Sequence, residues 1–459
     1  MESKILRRDV LSAAAAAALP AVWPSSARAL PPGRPKVAAI FTVLRFRSHA
    51  FNILENFLGP YYFNGHLTDP GVDVVSFYAD QFPNDDMARE VSRRFGIPLY
   101  DSIDEAMCLG GDRLAVDAVL SIGEHGDYPY NKLGQHMYPR KRFFDQAIAV
   151  MQRSDRYVPL FNDKHLSYRW DWSRKMFDTA RQHSMPLITG SSVPLAQRRP
   201  AMTVPDGTEI EEAVSIHGGG LESYDFHAFE VLQSFVEARA GGETGITEVQ
   251  LLTGVQFEQA RQSGLWSQDL VDAAMKAEEN MRAVRQRRPT SGVFAKQPAG
   301  IGADEKPKPR RPSGDYAIRI KYNDGLRATV LKIGSSSDRW NFACRLKGEA
   351  RPRATALFNG PWGNRCLFKA LSHAIQHTYT TGEEPYAAER TLLTTGAVDA
   401  VMRSWNQNGN SIPTPHLNVR YQPTDFTTFR ESGATWSVIT KGVPQSSGFE
   451  PRSYAELEN

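Results

Sequence analysis

The sequence from residue 116 to residue 127 reads VDAVLSIGEHGD. Its first seven residues are mostly apolar, and the last five combine two glycines with Glu124, His125 and Asp127. A short apolar run that ends in polar groups is typical of a strand buried on both faces of a parallel sheet. Residues that follow such strands lie at the carboxyl edge of the sheet, where α/β proteins bind ligands. This stretch therefore predicts both a fold class and the place of a site.

The same pattern recurs on both sides of this stretch. Short apolar runs cover 37–43, 72–77, 157–161 and 186–189, and helical patterns lie between them, including apolar stripes within 143–151 and 172–180. Strands that alternate with helices build right-handed βαβ units and a parallel sheet. We therefore predict a Rossmann-like α/β domain over residues 36–195.

After residue 195 the pattern changes to that of an α+β domain with a mostly antiparallel open sheet, predicted over 196–425. Residues 316–322, the turn Asn323-Asp324-Gly325 and residues 326–331 are typical of a β-hairpin. Residues 287–313 are rich in proline, glycine and lysine, which predicts a mobile loop. Residues 426–459 are interpreted as a C-terminal tail. Two domains also agree with the length of 459 residues.

The N-terminal 29 residues have the features of an export signal. Arg7-Arg8-Asp9-Val10-Leu11 precedes an alanine-rich run, and Ala27-Arg28-Ala29 forms a small-x-small cleavage site. Paired arginines before a hydrophobic run indicate the twin-arginine route, with an ordinary Sec signal as the alternative. The apolar run is too short to span a bilayer. We therefore expect an exported, periplasmic protein with no membrane segment in its mature form.

The overall charge and the cysteine pattern argue against two classes of protein, those that bind nucleic acid and those held together by disulfides. Lysine and arginine total 54 and the acids total 51, with no basic tract, which argues against a nucleic-acid partner. Three widely spaced cysteines, Cys108, Cys344 and Cys366, do not form a disulfide framework. We interpret them as buried thiols, and the alternative is one disulfide between Cys344 and Cys366.

Polar clusters follow each predicted strand at the edge where ligands bind. Lys164 and His165 follow the strand at 157–161, Ser191 follows the strand at 186–189, and Asp225 and His227 open a helix behind three glycines. Each has a simpler interpretation as a solvated lysine, a core histidine, a loop cap or a helix N-terminal acid. Their placement at successive strand ends favours a cleft in which they converge.

These clusters resemble those of the Gfo/Idh/MocA family of NAD(P)-dependent sugar oxidoreductases. The similar stretches are 87–101, 116–119 and 162–166, the last standing where the family has Glu-Lys-Pro, and Asp225 with His227 stands where it has Asp-x-x-x-His. The resemblance implies NAD or NADP as cofactor, a sugar, polyol or glycoside as substrate, and a homo-oligomer formed through the second domain's sheet. It assigns Lys164 to lowering the alcohol's pKa, His227 to proton removal and Asp225 to positioning His227, with His165 as a fourth catalytic candidate.

The turn after the first strand departs from the family pattern. It reads TVLRFRSH over 42–49 and contains no glycine, although glycine lets backbone N–H groups approach a pyrophosphate. Either arginines replace those N–H groups or no dinucleotide binds. The cofactor-binding residues predicted on the first alternative are Thr42, Arg45, Arg47, Ser48, Asp80, Glu124 and His125. The predicted substrate-binding residues are Asp127, Tyr130, Ser191, Glu222 and Tyr224.

Two other functions use the same cleft. The first is a metal-dependent enzyme, because the cleft contains carboxylate and imidazole side chains that can bind a metal ion, although the leading interpretation assigns no metal. The candidate ligands are Glu124, His125, Asp127, Asp163, His165, His217, Glu222, Asp225 and His227. A non-catalytic carbohydrate-binding protein would stack sugars on aromatic rings. The candidate rings are Tyr128, Tyr130, Tyr168, Trp170 and Tyr224.

Overall fold

A computed structural model describes residues 33–286 and 309–439 of the 459-residue chain. The predicted signal at 1–29, residues 287–308 of the predicted loop and residues 440–459 of the predicted tail lie outside the described residues. Residues 309–313, the described end of the loop, contain no helix or strand. The described part of the tail contains a short helix over Ala434–Ile439.

The strands of the described residues are short and mostly buried. They are β1 (Lys36–Phe41), β2 (Tyr61–Phe63), β3 (His66–Thr68), β4 (Asp73–Ala79), β5 (Leu99–Tyr100), β6 (Ala118–Ile122), β7 (Leu160–Asp163), β8 (Leu187–Gly190), β9 (Gln197–Arg199), β10 (Ile210–His217), β11 (Ile246–Thr253), β12 (Tyr316–Tyr322), β13 (Arg327–Lys332), β14 (Trp340–Leu346), β15 (Arg353–Phe358) and β16 (Ile412–Pro413).

The α-helices of the described residues connect and cover these strands. They are α1 (His49–Leu54), α2 (Ala88–Phe95), α3 (Ile103–Cys108), α4 (Arg140–Arg153), α5 (Trp170–Gln182), α6 (Ser223–Val236), α7 (Val255–Gln262), α8 (Gln268–Gln286), α9 (Asn364–Thr381), α10 (Ala388–Asn406) and α11 (Ala434–Ile439).

The first sheet is parallel, with the strand order β5-β4-β1-β6-β7-β8. This is the order 3-2-1-4-5-6 of a Rossmann fold, and it confirms the predicted fold class. The order reverses between β1 and β6, so ligands are expected above that pair of strands. The two-residue strand β5 was not predicted.

Local sequence explains how this sheet forms. Every residue of β6 is buried, and β1 is buried from its second residue onward, because helices cover both faces. Helix α1 starts where the Ser48 hydroxyl accepts a hydrogen bond from the N–H of Phe51. Helix α2 ends at Gly96, whose φ of 65° a residue with a side chain adopts only with strain.

The second sheet has eight strands in the order β16-β11-β12-β13-β10-β14-β15-β9, of which only β10 and β13 pair in parallel. The predicted mostly antiparallel sheet is therefore confirmed. Helices α6 and α10 pack on one face, and α7 and α8 pack on the other. Residues such as Trp266 and Leu270 fill the interface between the sheet and helices α7 and α8. Because α7 and α8 cover this face, it is not an exposed surface for a second copy, and the homo-oligomer stays a prediction.

The C-terminal helices return to the first sheet. Helix α9 packs against α1, and α10 lies between α5 and β8 on one side and α6 and β11 on the other. The hydroxyl of Tyr379 donates to the carbonyl of Val119 in β6 at 2.6 Å. One continuous apolar core joins the two sheets. The boundaries at residues 195 and 425 therefore stay predictions.

The three cysteines, Cys108, Cys344 and Cys366, are buried free thiols, as the sequence interpretation expected. The alternative disulfide between Cys344 and Cys366 is not present. Among the described residues, no helix combines the length and the apolar character that crossing a membrane requires.

Candidate active site

The polar side chains that follow β6, β7 and β8 lie together at the carboxyl edge of the parallel sheet. Glu124 comes two residues after β6, Lys164 directly after β7 and Ser191 directly after β8. The first half of α6, which contains His227, joins them through contacts to Ser191 and Lys164. These contacts show that the loops converge, as predicted.

A buried carboxylate between two cations forms the centre of this group. Glu124, Arg140 and Lys164 are each no more than 6% exposed. Lys164 Nζ lies 2.9 Å from Glu124 Oε1, and Arg140 donates to Glu124 Oε2. Burial opposes ionisation, but the charges of Lys164 and Arg140 outweigh it and hold the pKa of Glu124 well below its usual value. Glu124, predicted to bind cofactor, is therefore the counterion of the candidate catalytic lysine.

Arg140 was not predicted from the sequence, and it organises the neighbouring residues. Its Nε donates to the carbonyl of Asp163 at 3.1 Å, and its Nη1 lies 3.3 Å from His165 Nε2. Because a guanidinium only donates, His165 accepts through Nε2 and is neutral. Burial and then the charge of Arg140 lower the pKa of His165 well below its usual value. The contact to Arg140 makes His165 a supporting residue.

Two further histidines lie at the point where the strand order reverses. His49, in the first turn of α1, lies 2.7 Å from Asp163 Oδ2 through its Nδ1. Its ring contacts the ring of His125, with 5.1 Å between centroids. Burial and the neighbouring His49 lower the pKa of His125 to about 3, so His125 is neutral at pH 7. His49 is a second site residue that sequence reasoning missed.

His227 contacts Ser191 rather than the predicted Asp225. Its Nδ1 lies 2.6 Å from Ser191 Oγ, which also accepts the N–H of Val193 at 3.0 Å. Burial, and then the charge of Lys164, lower the pKa of His227 well below its usual value. Lys164 contacts Ser223, one turn before His227 on α6, and His227 is a neutral imidazole at pH 7.

The prediction that Asp225 positions His227 is wrong. On a helix of 3.6 residues per turn, side chains two positions apart point about 200° away from each other. Asp225 accepts from the hydroxyl of Tyr316 at 2.9 Å and from the N–H of Glu222 at 2.6 Å, and it lies 3.0 Å from His217 Nε2. It links the start of α6 to β10 and β12.

Glu222, predicted to bind substrate, is a buried carboxylate at the start of α6. It accepts the N–H of His136 at 2.9 Å, and Arg311 donates to it at 3.2 Å. Burial is the main cause that raises its pKa to about 7, although Arg311 opposes the shift. Arg311 thereby attaches the described end of the predicted loop to the site.

We expect the Glu222→Gln substitution to change the pH dependence of stability. Folding raises the pKa of this carboxyl from 4.5 to about 7, so the folded wild-type protein binds a proton at Glu222 more tightly than the unfolded chain does. This proton binding stabilises the folded state, and the stabilisation is lost as the pH rises from 4.5 through 7. A glutamine does not titrate. The free energy of unfolding of Glu222→Gln minus that of wild type should rise by up to about 3 kcal/mol between pH 4.5 and pH 8.

Urea unfolding of both proteins at several pH values measures this difference. Glu258→Gln, on the exposed face of α7 where Glu258 pairs with Arg261, is the control and should follow wild type. Parallel stability curves for Glu222→Gln and wild type would contradict the prediction.

The other substrate-binding candidates lie around this centre. The ring of Tyr224 stacks on Trp340 with 5.2 Å between centroids. Tyr130 stacks on His136 at 4.4 Å. Asp127 is exposed at the rim, where its backbone exchanges two hydrogen bonds with the side chain of Gln81. Trp340 is thus an additional aromatic residue that the sequence interpretation did not name.

The predicted cofactor residues of the first turn have varied partners. The Thr42 hydroxyl donates to the carbonyl of Glu124 and connects the two loops. Ser48, predicted to bind cofactor, is the N-cap of α1. Arg47 donates to the carbonyl of Trp362 at 3.0 Å. Arg45 is 37% exposed and lies 4.0 Å from Asp85. Arg45 therefore remains accessible from solvent, and Arg47 is partly buried.

Asp80, predicted to hold a ribose hydroxyl, is engaged by side chains of the chain itself. It accepts from Arg142 at 2.6 Å and from the hydroxyls of Tyr78 and Tyr128. These three donors outweigh burial and lower the pKa of Asp80. Tyr128 therefore bonds to Asp80 through its hydroxyl, and a ribose would have to share or displace these donors.

The residues fit a dinucleotide differently at the turn after β1 and at the strand reversal between β1 and β6. At the turn, the N–H of Leu44 donates to Asp86 and the N–H of Arg45 donates to Ser48, so a phosphate would rely on the charge of Arg45. Near the strand reversal, several buried polar atoms have no hydrogen-bond partner in the described structure. They are His125 Nε2, His165 Nδ1, Asn162 Oδ1 and Asn52 Oδ1. Polar groups of a bound ligand would satisfy these atoms.

Within residues 33–286 and 309–439, no three His, Cys, Asp or Glu side chains are arranged to hold a metal ion. The metal-dependent alternative therefore has no ligand set in that part of the chain. Several of its candidate ligands have other partners: Glu124 pairs with Lys164 and Arg140, His227 with Ser191, and Asp225 with Tyr316.

The comparisons with known proteins gave matches in structure alone. No model of a protein family matches the sequence, and no curated protein has a significantly similar sequence. GenD2 from gentamicin A biosynthesis, solved in complex with NAD, is 12% identical, and the match covers 84% of this chain and 99% of that one with a TM-score of 0.49. A myo-inositol dehydrogenase from Corynebacterium glutamicum is 11% identical over 83% and 98% of the two chains, with a TM-score of 0.49.

A scyllo-inositol dehydrogenase from Lactobacillus casei is 8% identical over 83% and 98% of the two chains, with a TM-score of 0.48. All three are similar to this chain in structure at 12% sequence identity or less. Because all three TM-scores are below 0.5, the fold is assigned from this chain's own strand order.

Proposed function

We propose that this protein is an oxidoreductase that oxidises a hydroxyl group of a sugar, polyol or glycoside with NAD or NADP. The observation that carries the proposal is that a buried lysine and a buried neutral histidine lie on neighbouring elements at the ligand-binding edge. Lys164 contacts Ser223, which lies one helical turn before His227 on α6, and Lys164 and His227 each have a separate partner that fixes them. Alcohol oxidation needs both a cation beside the oxygen and a base for its proton.

Lys164 stabilises the developing alkoxide. Its ammonium has three N–H donors, of which one points to Glu124 at 2.9 Å and one to Ser223 at 3.2 Å. The third is left for the substrate oxygen. Arg140 shares the charge of Glu124, so the three groups together carry a net charge of +1. That excess favours an oxyanion over a neutral alcohol.

His227 removes the hydroxyl proton. In the base form, its Nδ1–H donates to Ser191 Oγ, and Nε2 is the acceptor of the substrate proton. Ser191, predicted to bind substrate, is in this account a positioning residue that sets the tautomer. Glu230 supports the same loop, because it lies 3.4 Å from the N–H of Ser191 and is held by Thr391 and Thr394.

The cofactor would lie above the reversal between β1 and β6. Arg45 would contact its phosphates, and His125 and Asn162 would contact the part nearest Lys164. When bound, the nicotinamide supplies the acceptor for the hydride. The structure of the Lactobacillus casei enzyme with NAD(H) and scyllo-inositol illustrates the substrate class in a similar protein. In this chain the stacked pair Tyr224 and Trp340 supports a sugar-like ring as the substrate.

Analysis of the purified full-length protein tests this proposal. Acid extraction followed by mass spectrometry should release NAD or NADP, or titration of the extracted protein with either should quench tryptophan fluorescence with saturation. A panel of inositols, hexoses and glycosides should then yield reduced cofactor. A protein that binds neither nucleotide but binds a sugar equally well with and without Lys164→Met is a carbohydrate-binding protein, and the proposal fails.

We also propose that the protein is exported by the twin-arginine route, which Arg7 and Arg8 support. Export of a folded chain would let it carry a bound nucleotide out of the cytoplasm. Replacing both arginines with lysine should retain the protein in the cytoplasm, as measured by cell fractionation, whereas unchanged export would indicate the Sec route.

A further inference from the structure

A second cavity lies away from the strand reversal, beside the C-terminal end of α6. Its volume is about 240 Å³, and it is lined by Arg198, residues 203–206, residues at the C-terminal end of α6 and just after it, residues 423–427 and Arg430. Arg198 and Arg430 both line it. A volume of this size equals roughly eight water molecules at about 30 Å³ each. The cavity therefore matches a small metabolite.

Both arginines have donors without partners. The guanidinium of Arg198 stacks on Phe235 at 3.9 Å, and its Nη1 donates to the carbonyl of Met202 at 3.0 Å. Arg430 donates through Nη2 to the hydroxyl of Thr427 at 3.0 Å. The Nε atoms of both arginines are buried and have no hydrogen-bond partner within the described part of the chain. Two donors of fixed geometry are thus left for a ligand.

No carboxylate of the described residues forms an ion pair with either arginine, although the charges of Glu237 and Asp425 act on Arg198 and Arg430 from farther away. Glu237 also lines the cavity, but Arg390 donates to both of its oxygens and Tyr421 donates to Oε2 at 2.8 Å. Among the described residues, neither Arg198 nor Arg430 has a carboxylate oxygen within ion-pair distance. Asp206 and Asp425 lie at the exposed rim. The deep part of the cavity is therefore positive.

The surroundings of Arg198 show that this arrangement costs free energy. Burial, and then the charges of Arg430 and Arg390, lower the pKa of Arg198 well below its usual value. Buried charges in proteins are normally paired. Glu237 is already paired with Arg390, so an anion from solution is the partner that would satisfy Arg198 and Arg430 together.

We propose that this cavity is a binding site for a small dianion, such as phosphate or a dicarboxylate, held by the guanidinium groups of Arg198 and Arg430. Arginine recognises planar and tetrahedral oxyanions through paired N–H donors. The rings of Phe235 and Phe426 flank the guanidinium of Arg198 at 3.9 and 5.9 Å and fix its orientation.

This anion site is separate from the candidate active site. His227 and Phe235 are eight residues apart on α6, which is about 12 Å along the helix axis. The side chains that form the anion site do not contact Lys164, His227 or Glu124 among the hydrogen bonds and ion pairs described above. The anion site therefore stands independently of the proposed oxidoreductase activity.

Calorimetric titration of the full-length protein with inorganic phosphate and with succinate, at constant ionic strength set by chloride, tests the proposal. We expect saturable binding of at least one of the two, with a rise in melting temperature that saturates over the same concentrations. Arg198→Met and Arg430→Lys should each weaken binding tenfold or more. Arg430→Lys keeps the charge and removes the planar donor set, so it remains informative if Arg198→Met does not fold.

Arg420→Met is the matched control, because Arg420 is exposed and bonds only locally to Asn418. It should bind the anion as wild type does. Saturation by phosphate alone assigns the site to a phosphorylated metabolite, and saturation by succinate alone assigns it to a dicarboxylate. Wild type that binds neither anion, or variants that bind as tightly as wild type, would overturn the proposal.

Discussion

Replacing Lys164 with methionine is expected to reduce kcat for alcohol oxidation by about 10²- to 10⁴-fold. Removing a group that stabilises an oxyanion or transfers a proton usually slows an enzyme by a factor in this range. Methionine retains the length of the side chain and removes the ammonium. KM should change less than kcat, because the lysine stabilises the charge that develops after the substrate is bound. Steady-state kinetics with the best polyol from the substrate panel measures both constants.

The control for this substitution is Lys347→Met, because Lys347 is 65% exposed and pairs with Glu209 on the surface. It should retain wild-type kinetics. A Lys164→Met protein that folds normally and keeps kcat within threefold of wild type would remove Lys164 from the chemistry.

The second large effect concerns stability. Replacing Glu124 with glutamine is expected to lower the free energy of unfolding at pH 7 by about 3–5 kcal/mol, because it leaves two buried cations without their shared anion. The substitution preserves shape, so no cavity contributes to the loss. The pKa of Glu124 is held well below its usual value, so the wild-type carboxylate is fully charged at pH 7. Urea unfolding at that pH measures the effect.

A matched control substitution and a double substitution test whether the loss of stability comes from unpaired buried charge. Glu258→Gln removes an exposed carboxylate paired with Arg261 and should cost less than about 1 kcal/mol. Adding Lys164→Met to Glu124→Gln leaves one buried cation instead of two and should recover part of the lost stability. A Glu124→Gln protein as stable as wild type would contradict the interpretation of the Glu124, Arg140 and Lys164 group.

The parallel sheet could be predicted because its strands are buried on both faces. Each of β1, β4, β6, β7 and β8 overlaps a short apolar run of the sequence, and the polar residues after three of them mark the carboxyl edge. Lys164 and His227 could be proposed as partners for the same reason. In contrast, β14 and β15 were not predicted. Asn341 of β14 is buried against Glu278 of α8, so the polar positions of this strand do not mark a solvent-exposed face.

The residues missed at the site share a different cause. Arg140 starts α4 among three bases, and its spacing does not reveal that it alone turns inward to Glu124. A signal was available, since a buried Glu124 requires counterions. His49 lay within the turn that was inspected for glycine, and its partner Asp163 is more than 100 residues away. Long-range pairs of this kind are set by strand order rather than by local pattern.

The measurement that tests the account most directly is the pKa of His227, followed by nitrogen-detected NMR of imidazole resonances in wild type and in Lys164→Met. The chain has 11 histidines, and the His227→Gln variant assigns the resonance. We expect wild-type His227 to stay neutral well below pH 6.5 and its pKa to rise when the Lys164 charge is removed. An identical titration of His227 in both proteins would show that the two groups do not share one site.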